Sequence, residues 1–255
     1  MQNTKVSELI TIDRRSKRSY DIQIKESIKA LILDHTFYYQ DVLPSPLELA
    51  TALHIDPSQV ESAYQLLANE NHIKATTNGY EVSFLELTNY FFDRNTAIYD
   101  AILALGLTPS IECVERKVVE LSKHEAQSFG FVDERRFLYI NRIYKGNGRP
   151  LIILENYLPI EIFPDINERF IDHLPLNEFL YDTYGIIAQE SHRVTRAVNL
   201  TSSIAAHLNE PKGNPSVSST NHVYDQSHRL IDFGRSHSIS SYYFQSIINQ
   251  PTQHR

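Results

Sequence analysis

The stretch from Leu43 to Tyr80 constrains the fold more than any other part of the chain. Ser45 stands before Pro46 and Asp56 before Pro57. Each pair is a side chain able to cap a helix followed by a proline suited to the first helical position. The first start opens a short helix, Leu47 to Leu53, with Leu49, Ala50 and Leu53 on one side, and His54-Ile55 makes the turn. The second opens a longer helix from about Ser58 to Asn69 with Val60, Ala63, Tyr64, Leu66 and Leu67 apolar. Upstream, Ile24, Ile28, Leu31 and Ile32 recur at helical spacing within Tyr20 to Leu33. Downstream, Ile73 to Thr76 and Tyr80 to Ser83 alternate around Asn78-Gly79, a hairpin signal. Helix, short helix, turn, longer helix, hairpin is the order of a winged helix-turn-helix. There a free helix surface fits the major groove and the hairpin reaches the flanking backbone. The same order also suits a small helical bundle that uses its hairpin for protein contact.

The rest of the chain follows another rhythm. Thr96 to Leu105 predicts a helix with Ile98, Ile102 and Leu105 inward, stopped at Gly106. Strands are expected over Ser110 to Leu121, Phe137 to Lys145, Pro150 to Tyr157, Ile186 to Val198, Val217 to Tyr224 and Asp232 to Ser240, with a short helix holding Phe179 and Leu180. Mostly antiparallel strands with interspersed helices predict an α+β domain. With 255 residues, two small domains fit the length, divided near Phe84 to Asn95: 1–85 and 86–255.

Composition narrows the class. The 42% hydrophobic and 22% charged residues are those of a globular chain, not a disordered one. The N-terminus lacks the apolar core of a secretory signal, no apolar stretch is long enough to span a bilayer, and the single Cys113 forms no intramolecular disulfide. A cytoplasmic protein without membrane contact is the expectation. The eleven histidines are scattered, with His222, His228 and His237 the nearest grouping, and no HxH or HExxH spacing marks a metal site. There is no GxSxG, P-loop or GxGxxG, and neither Cys113 nor a Glu155–Asp232 pair makes a convincing catalytic set, so neither an enzyme nor a cofactor is expected.

Leu43-Pro44-Ser45 with Glu48-Leu49-Ala50, then Asp56-Pro57-Ser58-Gln59-Val60 and Ala63, resembles the DNA-binding domain of GntR-type bacterial regulators. Gly106-Leu107-Thr108-Pro109, Asn141-Arg142-Ile143-Tyr144 through Gly148-Arg149-Pro150-Leu151, Glu155-Asn156-Tyr157-Leu158-Pro159 with Phe163-Pro164, and Leu180 to Tyr184-Gly185 resemble the UTRA effector-binding domain of the HutC branch, which is chorismate lyase-like in fold. The resemblance implies an α+β chain with an N-terminal winged helix-turn-helix and a C-terminal antiparallel-sheet ligand domain. It also implies a homodimeric transcriptional repressor released from double-stranded operator DNA by a small effector, a sugar phosphate or carboxylate.

Against that pattern the chain carries Leu47, Pro57 and Glu61 where such regulators usually have arginine, and its wing, His72 to Tyr80, is poor in arginine. Residues 1–85 hold eight Lys and Arg against eleven Asp and Glu. Phosphate contact supplies most nonspecific affinity, and a glutamate there repels phosphate. Three readings stand side by side. The chain reads DNA through Ser45, Ser58, Gln59, Lys74, Thr76, Thr77 and Asn78, helped by Arg14, Arg15 and Arg18 ahead of the first helix. Or it binds DNA weakly and depends on dimerisation. Or it has lost operator binding and is a ligand-responsive protein-interaction module. The basic cluster itself reads equally as a backbone contact or as a solvated arm.

In the effector half, the resemblance implies two alternate arginines on a central strand facing the ligand's anionic group. Arg142 fills the first position and Tyr144 the second, on the same face. One arginine suits a carboxylate or a loosely held phosphate. Asp232 and Glu155 are candidates to bind ligand hydroxyl or amino groups, although the strict match to the family's acidic position is Leu154, and one residue flips the face. Thr96 at a helix start can offer a hydroxyl and backbone N–H groups to an anion, and Ser238 stands where a ligand-contacting tyrosine is frequent.

Overall fold

A computed structural model of the chain describes residues 9–34, 36–86, 98–239 and 242–243. The chain divides into two compact units, Met1–Glu86 and Leu87–Arg255.

In the first unit, α1 (Tyr20–Leu33) buries Ile24, Ile28 and Ile32, one residue per turn along one stripe. Helix α2 (Pro46–Leu53) opens with a reciprocal cap: the Glu48 amide donates to Ser45 Oγ at 3.3 Å, and the Ser45 amide donates to Glu48 Oε2 at 2.8 Å. It ends at His54 in the left-handed conformation, φ 55°. Asp56 then starts α3 (Pro57–Asn69) by accepting from the Ser58 amide at 2.9 Å. Leu49, Ala50, Val60, Ala63, Tyr64 and Leu67 join the α1 isoleucines in one core. The buried Tyr64 hydroxyl is satisfied by donating to the Pro44 carbonyl at 2.9 Å.

Strands β1 (Ile73–Thr76) and β2 (Gly79–Val82) pair antiparallel from Ile73↔Val82 to Thr76↔Gly79. The hairpin tip is therefore Thr77-Asn78, one residue earlier than a turn centred on Asn78-Gly79. Thr76 holds it there: its Oγ1 accepts from the Asn78 amide at 3.2 Å, and Gly79 takes the positive φ of 112° as the first strand residue. Val42 bridges Glu81, lengthening this small sheet.

The second unit is built on a six-stranded antiparallel sheet. In chain order its elements are α4 (Ile98–Ala104), β3 (Pro109–Glu120), α5 (Lys123–Ser128), β4 (Arg136–Gly146), β5 (Arg149–Pro159), α6 (Ile166–Arg169), α7 (Leu176–Tyr184), β6 (Ala188–Asn199), α8 (Ser202–Leu208), β7 (Pro215–Asp225) and β8 (Leu230–Ser238). The strand order is β3-β4-β5-β8-β7-β6. Asn147-Gly148, with φ of 51° and 78°, turns β4 into β5, the conformation that two-residue hairpins demand. A Cβ on Gly146 beside it would stand 2.7 Å from Leu107 Cδ1 and 2.9 Å from Leu151 Cδ1, so both buried leucines would have to shift.

Helices α5 and α8 were not anticipated. Ser122 and Glu125 cap α5 reciprocally, and Thr201 caps α8. Both signals are local and legible, but each helix is a short excursion between long strands.

The sheet separates two cores. Leu138, Ile140 and Leu158 on one face pack under Phe163, Ile166, Phe170, Leu176 and Phe179 from the segment of α6 and α7. Phe137 and Phe233 on the other pack with Ala126 and Phe131, at and just after α5. Among the described residues no helix is long and apolar enough to cross a membrane.

Candidate functional site

Register decides which side chains meet. Across the sheet, Arg142 of β4 lies opposite Leu154 of β5, Leu154 opposite Ser236 of β8, and Ser236 opposite Ser219 of β7. Asn156, Gly234 and Asn221 form the next row on the same face, and Asp232 with Val223 the one beyond. These residues floor a pocket with about 750 Å³ of empty space, part of it open to solvent. Its walls come from Ile98 and Tyr99 of α4, from Pro175, Leu176 and Asn177 at the start of α7, and from Arg193 of β6.

Arg142 is completely buried. Its Nη1 donates to the Leu174 carbonyl at 2.9 Å, while Nε and Nη2 are sealed from solvent with no partner among the described residues. The guanidinium carbon stands 5.5 Å from the Tyr144 ring centroid and 5.4 Å from that of Phe170. Those ring faces favour a cation but supply no acceptor. A buried guanidinium with donors left over is costly, and an anion entering the pocket would relieve that cost.

Asp232 is also buried, and both its oxygens accept from the single Asn156 Nδ2, at 3.0 and 2.8 Å. Burial pushes its carboxyl up to about 7, partly offset by the Asn156 hydrogen bond and the Arg142 charge. Burial likewise raises Tyr144 above the ordinary phenol value.

The structure thus brings Arg142, Tyr144 and Asp232 together in one pocket. It sets Glu155 apart. Leu154 takes the pocket-facing position, so strand alternation turns Glu155 to the opposite face, where it accepts from the Tyr139 hydroxyl at 3.0 Å and lies 3.8 Å from Arg235 Nη1. Ser238 is buried against β7, its Oγ accepting from the Val217 amide at 3.4 Å, and does not line the pocket. Thr96 lies outside the described residues. Sequence reasoning missed Arg193, Asn156, Ser219 and Asn221. Their strands were expected, but which face each residue presents follows only from the pairing. Among the described residues no three His, Cys, Asp or Glu side chains gather in a metal-binding array.

In the first unit the basic arm is tied down. Arg14 Nη2 donates to the carbonyls of Leu53 and His54 at 3.3 and 3.4 Å. The Arg15 amide donates to Asp13, and Gln23 Nε2 to the Arg18 carbonyl at 2.8 Å. The backbone of the arm is thus held in place, while the side chains of Arg14, Arg15, Lys17 and Arg18 remain exposed. Arg18, Tyr20, His54, Asp56 and Gln59 line one open groove at the start of α3. Lys74, Thr77 and Asn78 are exposed on the hairpin. Ser45 and Ser58 are exposed too, but their hydroxyls donate to Glu48 and Asp56 at 2.8 and 2.6 Å. Thr76 Oγ1 is engaged within its own turn. Lys25 and Lys29 are committed to Glu70, at 2.6 and 2.9 Å, and pull its carboxyl down to about 2.

Residues 104–243 match the UTRA domain family. The fold is similar to that of PhnF from Mycobacterium smegmatis, with 18% identity over 89% of this chain and 99% of that one and a TM-score of 0.60. The effector domain of that protein, solved separately, matches with 20% identity over 66% of this chain and 98% of its own, TM-score 0.54. A possible transcriptional regulator, YydK of Bacillus subtilis, matches with 18% identity over 90% of this chain and 99% of its own, TM-score 0.52. At these identities the likeness is one of fold.

Proposed function

The chain belongs to the UTRA domain family, and on that premise we propose that it is a metabolite-responsive bacterial transcriptional regulator of the GntR type, HutC branch. In this reading residues 1–85 are a winged helix-turn-helix that binds operator DNA, and residues 86–255 bind the effector and hold two copies together as a dimer in the cytoplasm. It acts as a repressor and catalyses no reaction.

The observation that carries the reading is Arg142: a fully buried guanidinium whose Nε and Nη2 have no partner among the described residues, lining one pocket with Tyr144 and Asp232. Such a group is a receptor for a carboxylate or phosphate. Tyr144 and Asp232 share its pocket, and the site is these three residues with Arg193; Glu155 and Ser238 are not part of it. Effector binding regulates DNA only if affinity differs between two dimer arrangements, one matching half-sites about a helical turn apart.

For DNA, exposed Arg15, Arg18, Lys74, Thr77, Asn78 and half-buried Gln59 make the contacts, with Arg14 fixing the arm. Ser45, Ser58 and Thr76 act first as structural caps. Fluorescence anisotropy with the chain's own upstream intergenic DNA and a scrambled duplex, at two salt concentrations, tests this. Selective binding that weakens with salt is expected. A folded dimer that binds neither duplex would refute operator binding and favour the protein-interaction module, a reading suggested by Leu47, 65% exposed where the family places arginine.

A further inference from the structure

The two ends of the pocket have opposite hydrogen-bonding needs. At Arg142 only donors are left over, Nε and Nη2. At the Asn156–Asp232 end only acceptors are. Asn156 spends its Nδ2 on the two Asp232 oxygens, and its own Oδ1 is buried with no partner among the described residues. Asn156 is 2% exposed and Asp232 6%. Arg142 and Asp232 feel each other's charge but do not form an ion pair. The pocket therefore holds a buried cation and a buried carboxyl apart, each short of partners. Resting on the effector-pocket reading above, we propose that the occupant is a small zwitterion, with its carboxylate or phosphate on Arg142 and its protonated amine on Asp232 and Asn156 Oδ1.

An ammonium brings three donors and a charge to a site offering three acceptor oxygens. A hydroxyl brings one donor and leaves the carboxylate without a countercharge, which in a buried site is the larger loss. The proton on Asp232 makes the choice sensitive to pH. The titratable and charged groups lining the pocket with it are Arg142 and Tyr144 on β4, Arg193 on β6 and Tyr99 on α4. With the Asp232 carboxyl at about 7 in the empty pocket, an ammonium is received well above that pH and must displace a proton below it.

The test uses calorimetric titration of the full chain with aminoethyl, hydroxyethyl and ethyl phosphate, and with ω-amino, ω-hydroxy and unsubstituted carboxylates of matched lengths. At about pH 8 the best amino compound should bind roughly tenfold or more tightly than its hydroxy counterpart. The advantage should shrink towards pH 5.5 and disappear in Asp232→Asn, whose circular dichroism reports that it is folded. Equal or tighter binding of the hydroxy compounds, or no binding by any amino compound, overturns the zwitterion. If hydroxy compounds bind and Arg142→Gln weakens them, the pocket reading survives that failure. If Arg142→Gln leaves binding unchanged, the pocket reading falls with it.

Discussion

Asp232→Asn should make the chain more stable in neutral and alkaline solution. The buried carboxyl has its proton affinity raised from 3.8 to about 7 by desolvation, so the folded state binds a proton that the unfolded state has released over this interval. Stability therefore falls as pH rises from about 4 to 7 and is level above that, because by then the carboxyl has lost its proton in both states. At about 1.4 kcal/mol per pH unit, the interval amounts to about 4 kcal/mol against the folded state at pH 8. Asparagine has the same shape, carries no charge, and its carbonyl still accepts from Asn156 Nδ2. Its amide group adds a donor near the unpartnered Asn156 Oδ1. Urea unfolding followed by circular dichroism at pH 5 and pH 8 measures the difference. The variant should gain up to about 4 kcal/mol at pH 8 and about 2.7 kcal/mol less than that at pH 5. A variant destabilised at pH 8, or a gain independent of pH, would refute the picture of an unpaired buried carboxyl.

Three further outcomes follow from local structure. Ser45→Ala removes the reciprocal cap of α2 and should cost about 1 kcal/mol of stability in thermal or urea unfolding. Glu70→Gln removes a carboxylate held at about 2 by Lys25 and Lys29, so the wild type should be the more stable above about pH 4.5 and lose that advantage as pH falls towards 2; parallel acid titrations of the two proteins would show it absent if the Lys–Glu contacts contribute nothing. Arg18→Ala should weaken DNA binding about equally across sequences and lower the slope of log affinity against log salt by about 1, read by anisotropy; an unchanged slope removes Arg18 from the interface.

Much of the architecture is written locally. A proline after an N-capping Ser or Asp, isoleucines one turn apart in Tyr20 to Leu33, and Asn147-Gly148 between alternating segments each specify an element from a few adjacent residues, and α2, α3, α1 and the β4–β5 hairpin form there. The same kind of signal stood at Ser122-Glu125 and at Thr201 and would have found α5 and α8. The hairpin of the first unit shows the limit of a local rule, because Thr76 claims the Asn78 amide and moves the tip by one residue.

The pocket is different in kind. That Arg142 and Tyr144 share a face is a property of one strand and needs only alternation. That Leu154 rather than Glu155 joins them depends on which residue of β5 sits opposite Arg142, and a one-residue change of register would exchange them. Arg193 reaches the pocket because β6, although it precedes β7 and β8 in the chain, lies at the far edge of the sheet. Above all, the chemistry of Arg142 and Asp232 comes from what surrounds them. Among the described residues, the segment carrying Phe170 and Leu174 meets the guanidinium with one carbonyl and no carboxylate, and Asn156 is the only side chain that donates to Asp232. The chain by itself determined where helices and strands begin, since those contests are settled between neighbours. Only the tertiary structure decided which charges are removed from water and left without partners, because desolvation and pairing belong to residues brought together from distant parts of the chain.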